Sequence, residues 1–241
     1  MPVPPAEVVV LVAHPALEAS RANRALARAA ARAIERVEVR DLYALYPDYL
    51  INTALEQSRL AAARLIVWQH PVHWYGMTPL MKLWLDEVLT FGWAYGPGGT
   101  ALRGKDLWLV ATTGGAESSY RPESYNRYPF DAFLPPYEQT AVACGMRFLP
   151  PMVLHGTLDL DAATIDAHAA LYAERLAAYP AWPELEGIED CPQCAVPWNA
   201  RPHPAIAVAP PQVASSASGS ASGSASLSAS ASTPAAARGP R

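Results

Sequence analysis

LIVWQHPVHWYGMTPLMKLW, residues 65–84, carries the clearest structural signal in this sequence. Its apolar start, Leu65 to Trp68, predicts a short strand, and an amphipathic helix is predicted from about Thr78. Between them lies a predicted loop that contains His70, Pro71, His73, Trp74 and Tyr75. In alternating α/β proteins, the loop after the carboxyl end of a central strand commonly binds a ligand. The aromatic faces, imidazoles and backbone amides of this loop suit a flat, partly polar ring system such as a flavin.

The residues on either side of this segment predict strands and helices in alternation. Strands are predicted at residues 7–13, 37–42, 65–68, 106–111 and 152–155, and helices at residues 21–34, 52–63, 78–89, 136–144 and 161–178. The helix N-caps are predicted at Ser20, at Asn52 or Thr53, and at Asp161. The continuous apolar run EVVVLVA (residues 7–13) is typical of a strand buried on both faces of a parallel sheet. We therefore expect an α/β protein with a flavodoxin-like three-layer α/β/α sandwich and a five-stranded parallel sheet of order 2-1-3-4-5.

Composition limits both the extent of the fold and the class of protein. From about Ala207 the sequence is dominated by Ala, Ser, Gly and Pro, and residues 186–206 are rich in Pro. We therefore expect one flavodoxin-like flavin-binding domain at residues 1–185 and a disordered tail at residues 186–241. A formal net charge of -4 argues against nucleic acid as a partner. The apolar runs are too short to cross a bilayer and no secretory signal precedes them, so a cytoplasmic protein is expected.

Three predicted loops meet at one edge of the sheet, because they follow strands one, three and four. The first, HPALEASRAN (residues 14–23), leads into a helix whose N-terminal amides can hold a phosphate, although Ser20 could also be only a cap. Trp74 in the second loop could equally be a core residue. The third loop, TTGG (residues 112–115), allows a close backbone approach to a ligand or simply makes a turn. The sequence has no GxGxxG motif, but the three loops together predict a ligand site at this edge.

The combination of HP…SRAN, WQHPVHWYGMTPLMKLWLDEV, GWAYGPGGTALRGK, TTGG and CGMRFLPP resembles the flavodoxin-fold NAD(P)H:quinone oxidoreductases over residues 7–180. Within this family the likeness is greatest to the ancillary subunits of glutathione-regulated potassium-efflux systems. The resemblance implies FMN, or alternatively FAD, that receives hydride from NADPH or NADH and passes two electrons to a quinone. It also implies a homodimer with the active site at the dimer interface. The alternative function is regulation of a KefC-type potassium efflux channel at the inner face of the cell membrane, with or without enzymatic activity.

The resemblance also assigns site residues by position. Those implied to surround the flavin phosphate and ribityl chain are His14, Ser20, Arg21, Ala22 and Asn23. Those implied to line the isoalloxazine ring are Val72, His73, Trp74 and Tyr75 on one side and Thr112, Thr113, Gly114 and Gly115 on the other. Tyr120 has the spacing from TTGG of a tyrosine that assists hydride transfer in mammalian relatives. Those relatives have a histidine six residues later, where this sequence has Asn126, so an exposed loop tyrosine is the alternative for Tyr120.

The other histidines and cysteines are interpreted as structural. His70 and His155 are predicted at strand ends as hydrogen-bonded packing residues, and Cys144 is predicted to be buried and inert. Cys191 and Cys194 form a CxxC pair followed by His203, but the sequence lacks the second pair that a structural zinc site needs. No metal is therefore expected. A one-electron flavodoxin carrier fits less well, because such carriers depend on a strongly acidic docking face.

Overall fold

The fold was determined from a computed structural model that describes residues 6–183 and residue 185. Within these residues, five strands form one parallel sheet of order β2-β1-β3-β4-β5. The strands are β1 Val8–Val12, β2 Val37–Asp41, β3 Leu65–Pro71, β4 Asp106–Thr112 and β5 Arg147–Leu154. The flavodoxin-like fold and the strand order predicted from the sequence are confirmed.

Helices cover both faces of the sheet. They are α1 Arg21–Ala33, α2 Leu42–Leu45, α3 Thr53–Ala62, α4 Pro79–Val88, α5 Pro135–Ala143 and α6 Ala162–Ala178. The side chains of Ser20, Asn52 and Asp161 accept hydrogen bonds from helix amides, as the sequence predicts. The short α2 was not predicted; the Asp41 carboxylate at the end of β2 accepts from the Tyr43 and Ala44 amides and begins it.

Two predicted strands are wrong in extent. β3 continues to Pro71, where His70 pairs with Ala111 and Pro71 with Thr112, so His70 and Pro71 belong to the strand and not to the loop. The loop therefore begins at Val72. β5 begins at Arg147 and not at residue 152. Pro150 and Pro151 interrupt its sequence pattern, but β5 is an edge strand, and its register shifts between Trp108 and Val110 of β4.

The core consists of two apolar layers, one on each face of the sheet. Trp68 and Trp84 lie in the layer that faces α4 and α5, whereas Trp108 and Tyr172 lie in the layer that faces α1 and α6. Cys144 is buried in the first layer, as expected. No helix in the described part of the chain is both long and apolar enough to span a membrane. The predicted disordered tail, with Cys191, Cys194 and His203, lies outside the described residues.

A buried ion pair ties together the elements beside β2. The Glu56 carboxylate on α3 is completely buried and accepts hydrogen bonds from Arg40 of β2. It also accepts from the Tyr46 hydroxyl and from Trp84 Nε1 on α4. Glu38, on the more exposed side, forms a second salt bridge to Arg40. The cluster thus satisfies four polar groups that would otherwise be costly to bury.

Candidate functional site

The carboxyl ends of β1, β3 and β4 open onto a cavity of about 480 Å³. This volume is within the usual range for cofactor and ligand sites. The predicted site residues that line it are His14, Ser20, Arg21, Ala22, Asn23, Val72, His73, Thr112 and Gly114. Trp74, Tyr75, Thr113 and Gly115 are not among its lining residues. Five further lining residues were not predicted as ligand contacts: Ala16, Ala19, Pro71, Thr157 and Leu158.

The N-terminus of α1 forms one end of this cavity. Ser20 caps the helix by accepting from the Asn23 amide at 3.1 Å, and it also lines the cavity. Arg21 is exposed at the rim and donates from Nη2 to the Leu160 carbonyl at 2.7 Å. Helix amides, a hydroxyl and a guanidinium together form a suitable site for a phosphate.

His14 lies at the end of β1, with its ring 6.5 Å from the ring of His73. Its Nδ1 accepts from the Ala16 amide at 3.0 Å, so neutral His14 carries its proton on Nε2. Burial lowers the pKa of His14, and the neighbouring His73 lowers it further. His14 is therefore a neutral hydrogen-bond donor at ordinary pH.

Asn23 is buried and connects the first loop to the end of β4. Its Nδ2 donates to Thr112 Oγ1 at 2.8 Å, and its carbonyl accepts from Gln69 Nε2 at 2.9 Å. Among the described residues, neither Asn23 Oδ1 nor Gln69 Oε1 has a hydrogen-bond partner. A buried oxygen without a donor is costly, so Asn23 fits a ligand that carries hydroxyl groups. Gln69 was missed because the predicted strand ends before it, at Trp68, and because its contact with Asn23 is distant along the chain.

The loop after β3 is a tight turn with an unusual backbone. The amides of His73 and Gly76 donate to each other's carbonyls at 3.1 Å, while Trp74 and Tyr75 have φ angles of 50° and 65°. Asn and Gly are normally found in such left-handed positions. No carbonyl in the described part of the chain accepts from the amides of Trp74 or Tyr75. Local strain of this kind is commonly retained where a ligand binds.

The side chains of Trp74 and Tyr75 in this turn lie in different environments. Trp74 is 95% exposed, so the alternative that it is a core residue is wrong. Tyr75 stacks on Phe133, with ring centroids 5.1 Å apart, and its hydroxyl is 3.4 Å from Asn126 Oδ1. Tyr75 lines a second cavity of about 500 Å³, which lies beside α4 and α5.

The TTGG loop faces a group of rings from residues 116–133. Tyr120 is half-buried, with its ring 5.4 Å from His155 and 5.3 Å from Phe130. It is therefore not the exposed loop tyrosine of the alternative interpretation. Burial raises the pKa of the Tyr120 phenol, and a hydrogen bond with Thr113 partly opposes this. Asn126 Nδ2 donates to Ser119 Oγ at 2.8 Å.

The two structural histidines differ in position. His155 follows the end of β5, and its Nδ1 lies 3.0 Å from Thr113 Oγ1, which confirms the predicted hydrogen bond. His70 lies within β3, where its ring stacks on Tyr137 at 5.6 Å. Its Nδ1 lies 2.9 Å from the Pro71 carbonyl oxygen, and burial lowers its pKa to about 4. His70 is thus a neutral packing residue on the face of the sheet that carries α4 and α5.

Residues that follow β5 complete the cavity. Thr157 Oγ1 donates to the Thr113 carbonyl at 3.1 Å, and Leu158 is largely exposed at the rim. The sequence did contain a signal for them, because the carboxyl end of β5 lies at the same edge as the other three loops. The prediction placed the carboxyl end of β5 within one residue, at His155, but assigned no ligand contact to the loop that follows it.

Comparison with known proteins agrees with this fold. Residues 6–176 match a protein family described as having a flavodoxin-like fold. The chain is 48% identical over 173 residues to the glutathione-regulated potassium-efflux system ancillary protein KefF of Citrobacter koseri. The aligned region covers 71% of this chain and 96% of that protein.

Two solved structures are also similar. General stress protein 14 of Treponema denticola, in complex with FMN, is 34% identical with a TM-score of 0.68, covering 71% of this chain and 98% of that one. An NADPH-quinone reductase from P. pentosaceus is 26% identical with a TM-score of 0.64, and the aligned region covers 70% of this chain and 97% of that one. The chain therefore belongs to the family of flavodoxin-like proteins that includes the KefF ancillary proteins.

Proposed function

We propose that this protein is an enzyme, an NAD(P)H dehydrogenase (quinone) that uses FMN and works in two-electron steps. The observation that carries the proposal is the cavity at the carboxyl edge of the sheet. It combines a helix N-terminus with a buried Asn23 oxygen that has no partner among the described residues, and the strained aromatic turn directly follows its lining residues Val72 and His73. The similarity of the chain to a protein solved in complex with FMN and to an NADPH-quinone reductase supports the same function.

Each part of the cavity suits one part of FMN. The α1 amides, Ser20 and Arg21 would hold the phosphate, and Asn23 Oδ1 would accept from a ribityl hydroxyl. The ring would lie between the Val72–Tyr75 loop and the Thr112–Gly115 loop. The amides of Trp74 and Tyr75 would donate to its polar edge and stabilise negative charge there.

Bound FMN would supply a two-electron acceptor that takes hydride from NAD(P)H and returns both electrons to the quinone. The net reaction consumes NAD(P)H, one proton and quinone, and releases NAD(P)⁺ and hydroquinone. The side chains need not form a covalent intermediate. Their tasks are to bind the cofactor, to orient it and to keep one face accessible.

FMN is preferred to FAD for two reasons. The first is the FMN held by the Treponema denticola protein. The second is that the residues lining the cavity account for a phosphate, a polyol chain and a ring. FAD would need a further site for adenosine, and its recovery from the purified protein would contradict the choice of FMN.

We further propose that the active protein is a homodimer, with the site at the interface. Tyr75 and Tyr95 line the second cavity and are 44% and 36% exposed. Trp74, next to Tyr75, and Phe91, whose ring packs on Tyr95, are 95% and 59% exposed. Clustered exposed aromatic residues are typical of protein interfaces. Sedimentation of the full chain should give twice the monomer mass, and a monomer with full quinone reductase activity would contradict the interface site.

A second candidate function is regulation of a potassium efflux channel. It is favoured by the 46–48% identity to KefF proteins over 96% of their length. The protein would then be cytoplasmic and would bind the channel at the inner face of the membrane. Co-purification with a KefC-type channel would test this function. An Asn23→Leu variant that still activates potassium efflux without FMN would separate regulation from catalysis.

The test of the enzyme is reduction of menadione by NADPH with the purified full-length chain. We expect Asn23→Leu to lose FMN and activity together, because the buried amide then cannot meet the polyol chain. Arg28→Gln, at an exposed position on the same helix, is the matched control and should keep both. Full activity without flavin would contradict the proposal.

A further inference from the structure

Gln69 is a buried polar residue to which the proposed function gives no role. It lies in β3 between Val12 of β1 and Val110 of β4, and it is completely buried. Leu65 and Val67, the earlier residues on the same face of β3, belong to the apolar layer that faces α1 and α6. An apolar side chain is therefore expected at position 69, and packing does not explain the polar one.

The side chain of Gln69 has a fixed orientation. Its Nε2 donates to the Asn23 carbonyl oxygen at 2.9 Å. Because a carbonyl oxygen can only accept, the amide nitrogen of Gln69, and not Oε1, must face Asn23. No group in the described part of the chain donates to this buried Oε1. A buried oxygen without a donor opposes folding, and an apolar side chain of similar size would avoid that cost, so the fold alone does not require Gln69.

The hydrogen bond from Gln69 ends on the first turn of α1. Asn23 is the third residue of that helix, and in a regular helix its carbonyl also accepts from the amide four residues later. Gln69 is thus an additional donor, which joins the helix N-terminus to the central strand of the sheet. Its loss would leave the carbonyl with a partner, so α1 should still form. What the bond adds is a fixed position for the first turn.

That first turn is part of the cavity wall. Residues 20–23 all line the cavity, whereas Gln69 is not among the lining residues. The Asn23 side chain is also held from β4, because its Nδ2 donates to Thr112 Oγ1 at 2.8 Å. Asn23 is therefore fixed through its backbone by β3 and through its side chain by β4. Its Oδ1 has no partner among the described residues and is the atom that a ligand hydroxyl can meet.

We propose that Gln69 is a positioning residue for the phosphate and polyol end of the cofactor site, acting through the first turn of α1. The inference rests on the proposed function, since it assumes that this end of the cavity holds the phosphate and ribityl chain of FMN. Precise placement matters most where several short hydrogen bonds must form together. The side chain of Gln69 bonds Asn23 and not the loops proposed to hold the ring. Its loss should therefore weaken binding and leave the bound ring unchanged.

The first test compares the affinity for FMN with the state of the bound flavin in the full-length protein. Gln69→Met keeps the length of the side chain and removes both polar atoms, and Met adapts well to core positions. We expect the FMN Kd to rise about tenfold, the size expected for the loss of one well-placed hydrogen bond. At saturating FMN the visible spectrum of the flavin should be unchanged. The rate of menadione reduction should then stay within about twofold of wild type.

The second test uses the flavin-free protein and so does not depend on the cofactor. Because Gln69→Met removes a buried oxygen without a donor, its free energy of unfolding in urea should equal or exceed that of wild type. Val67→Ala is the matched control from the same face of β3. It should lower the free energy of unfolding by leaving a cavity, and it should change the FMN Kd by less than about twofold. In wild type, the side-chain amide protons of Gln69 should exchange slowly with solvent.

The outcomes distinguish this inference from the proposed function. A Gln69→Met protein that binds FMN as tightly as wild type would overturn the positioning role. A less stable Gln69→Met protein, or one whose bound flavin has a changed spectrum, would show a merely structural residue and overturn it too. Fast exchange of the Gln69 amide protons would remove the bond on which the role depends. A wild-type protein that binds no flavin would overturn the proposed function and this role with it, while the exchange measurement would still decide the Gln69–Asn23 bond.

Discussion

Replacing Trp74 by Asn should make the flavin-free protein more stable. Trp74 has a φ of 50° and is 95% exposed, so its side chain contributes little burial to the fold. A left-handed backbone costs an ordinary residue about 1–2 kcal/mol, and Asn tolerates it better than most. We expect the free energy of unfolding to rise by about 1 kcal/mol, which corresponds to about 2–4 °C in melting temperature for a domain of this size.

The same substitution should weaken FMN binding. If the strained turn is retained for the ligand, Trp74 contacts the ring, and Asn removes an aromatic face. Loss of such a contact corresponds to about 1–2 kcal/mol, or about a 5- to 30-fold increase in the FMN Kd. Trp74→Asn therefore has opposite effects on the stability of the flavin-free protein and on its affinity for the cofactor.

Urea unfolding of the flavin-free protein and quenching of FMN fluorescence measure the two effects separately. Tyr125→Asn is the matched control, because Tyr125 is 88% exposed and has no left-handed backbone. Neither quantity should change in that variant. A Trp74→Asn protein that is less stable than wild type, or that binds FMN within twofold of wild type, would refute the reasoning.

Three other changes test separate parts of the structure. Glu56→Gln should destabilise the protein by about 3 kcal/mol in urea unfolding, because it leaves the Arg40 charge buried, whereas Glu38→Gln at the exposed side should cost less than about 1 kcal/mol; equal losses would refute the assignment. Burial lowers the pKa of His70 from 6.5 to about 4, so the free energy of unfolding should fall by about 3 kcal/mol as the pH drops from 6.5 to about 4. This loss is absent above pH 6.5 and begins below it, because the His70 side chain of the unfolded protein binds a proton at a higher pH than that of the folded protein. A His70→Leu protein whose unfolding free energy keeps the same pH dependence would contradict this. Truncation after Glu186 should leave flavin content and turnover unchanged, and loss of flavin would refute the proposed domain boundary.

The fold could be predicted from the sequence because its signals are local and repeated. Continuous apolar strands such as residues 7–13 alternate with helices whose caps are Ser20, Asn52 and Asp161. The ends of β3 and β5 could not be predicted, because His70, Pro71 and the Pro150–Pro151 pair read as loop residues. Pairing with β4 decides those positions, and that information is not local.

The candidate site also has parts that could be predicted from the sequence and parts that could not. The three loops could be placed at one edge of the sheet from the order of elements alone. The buried amide of Gln69 and the link from Thr113 to His155 could not, since they depend on side chains more than 40 residues apart along the chain. The exposure of Trp74 was also undetermined, because only the backbone of the turn decides that the side chain leaves the core.

The most direct test of the flavin site is identification of the flavin released by heat from the purified full-length chain after incubation with excess FMN and FAD. We predict one FMN per chain, with FAD absent or in small amount, and little FMN on Asn23→Leu. A wild-type protein that retains no flavin under these conditions would contradict the assignment of the cavity between β1, β3 and β4 as a cofactor site.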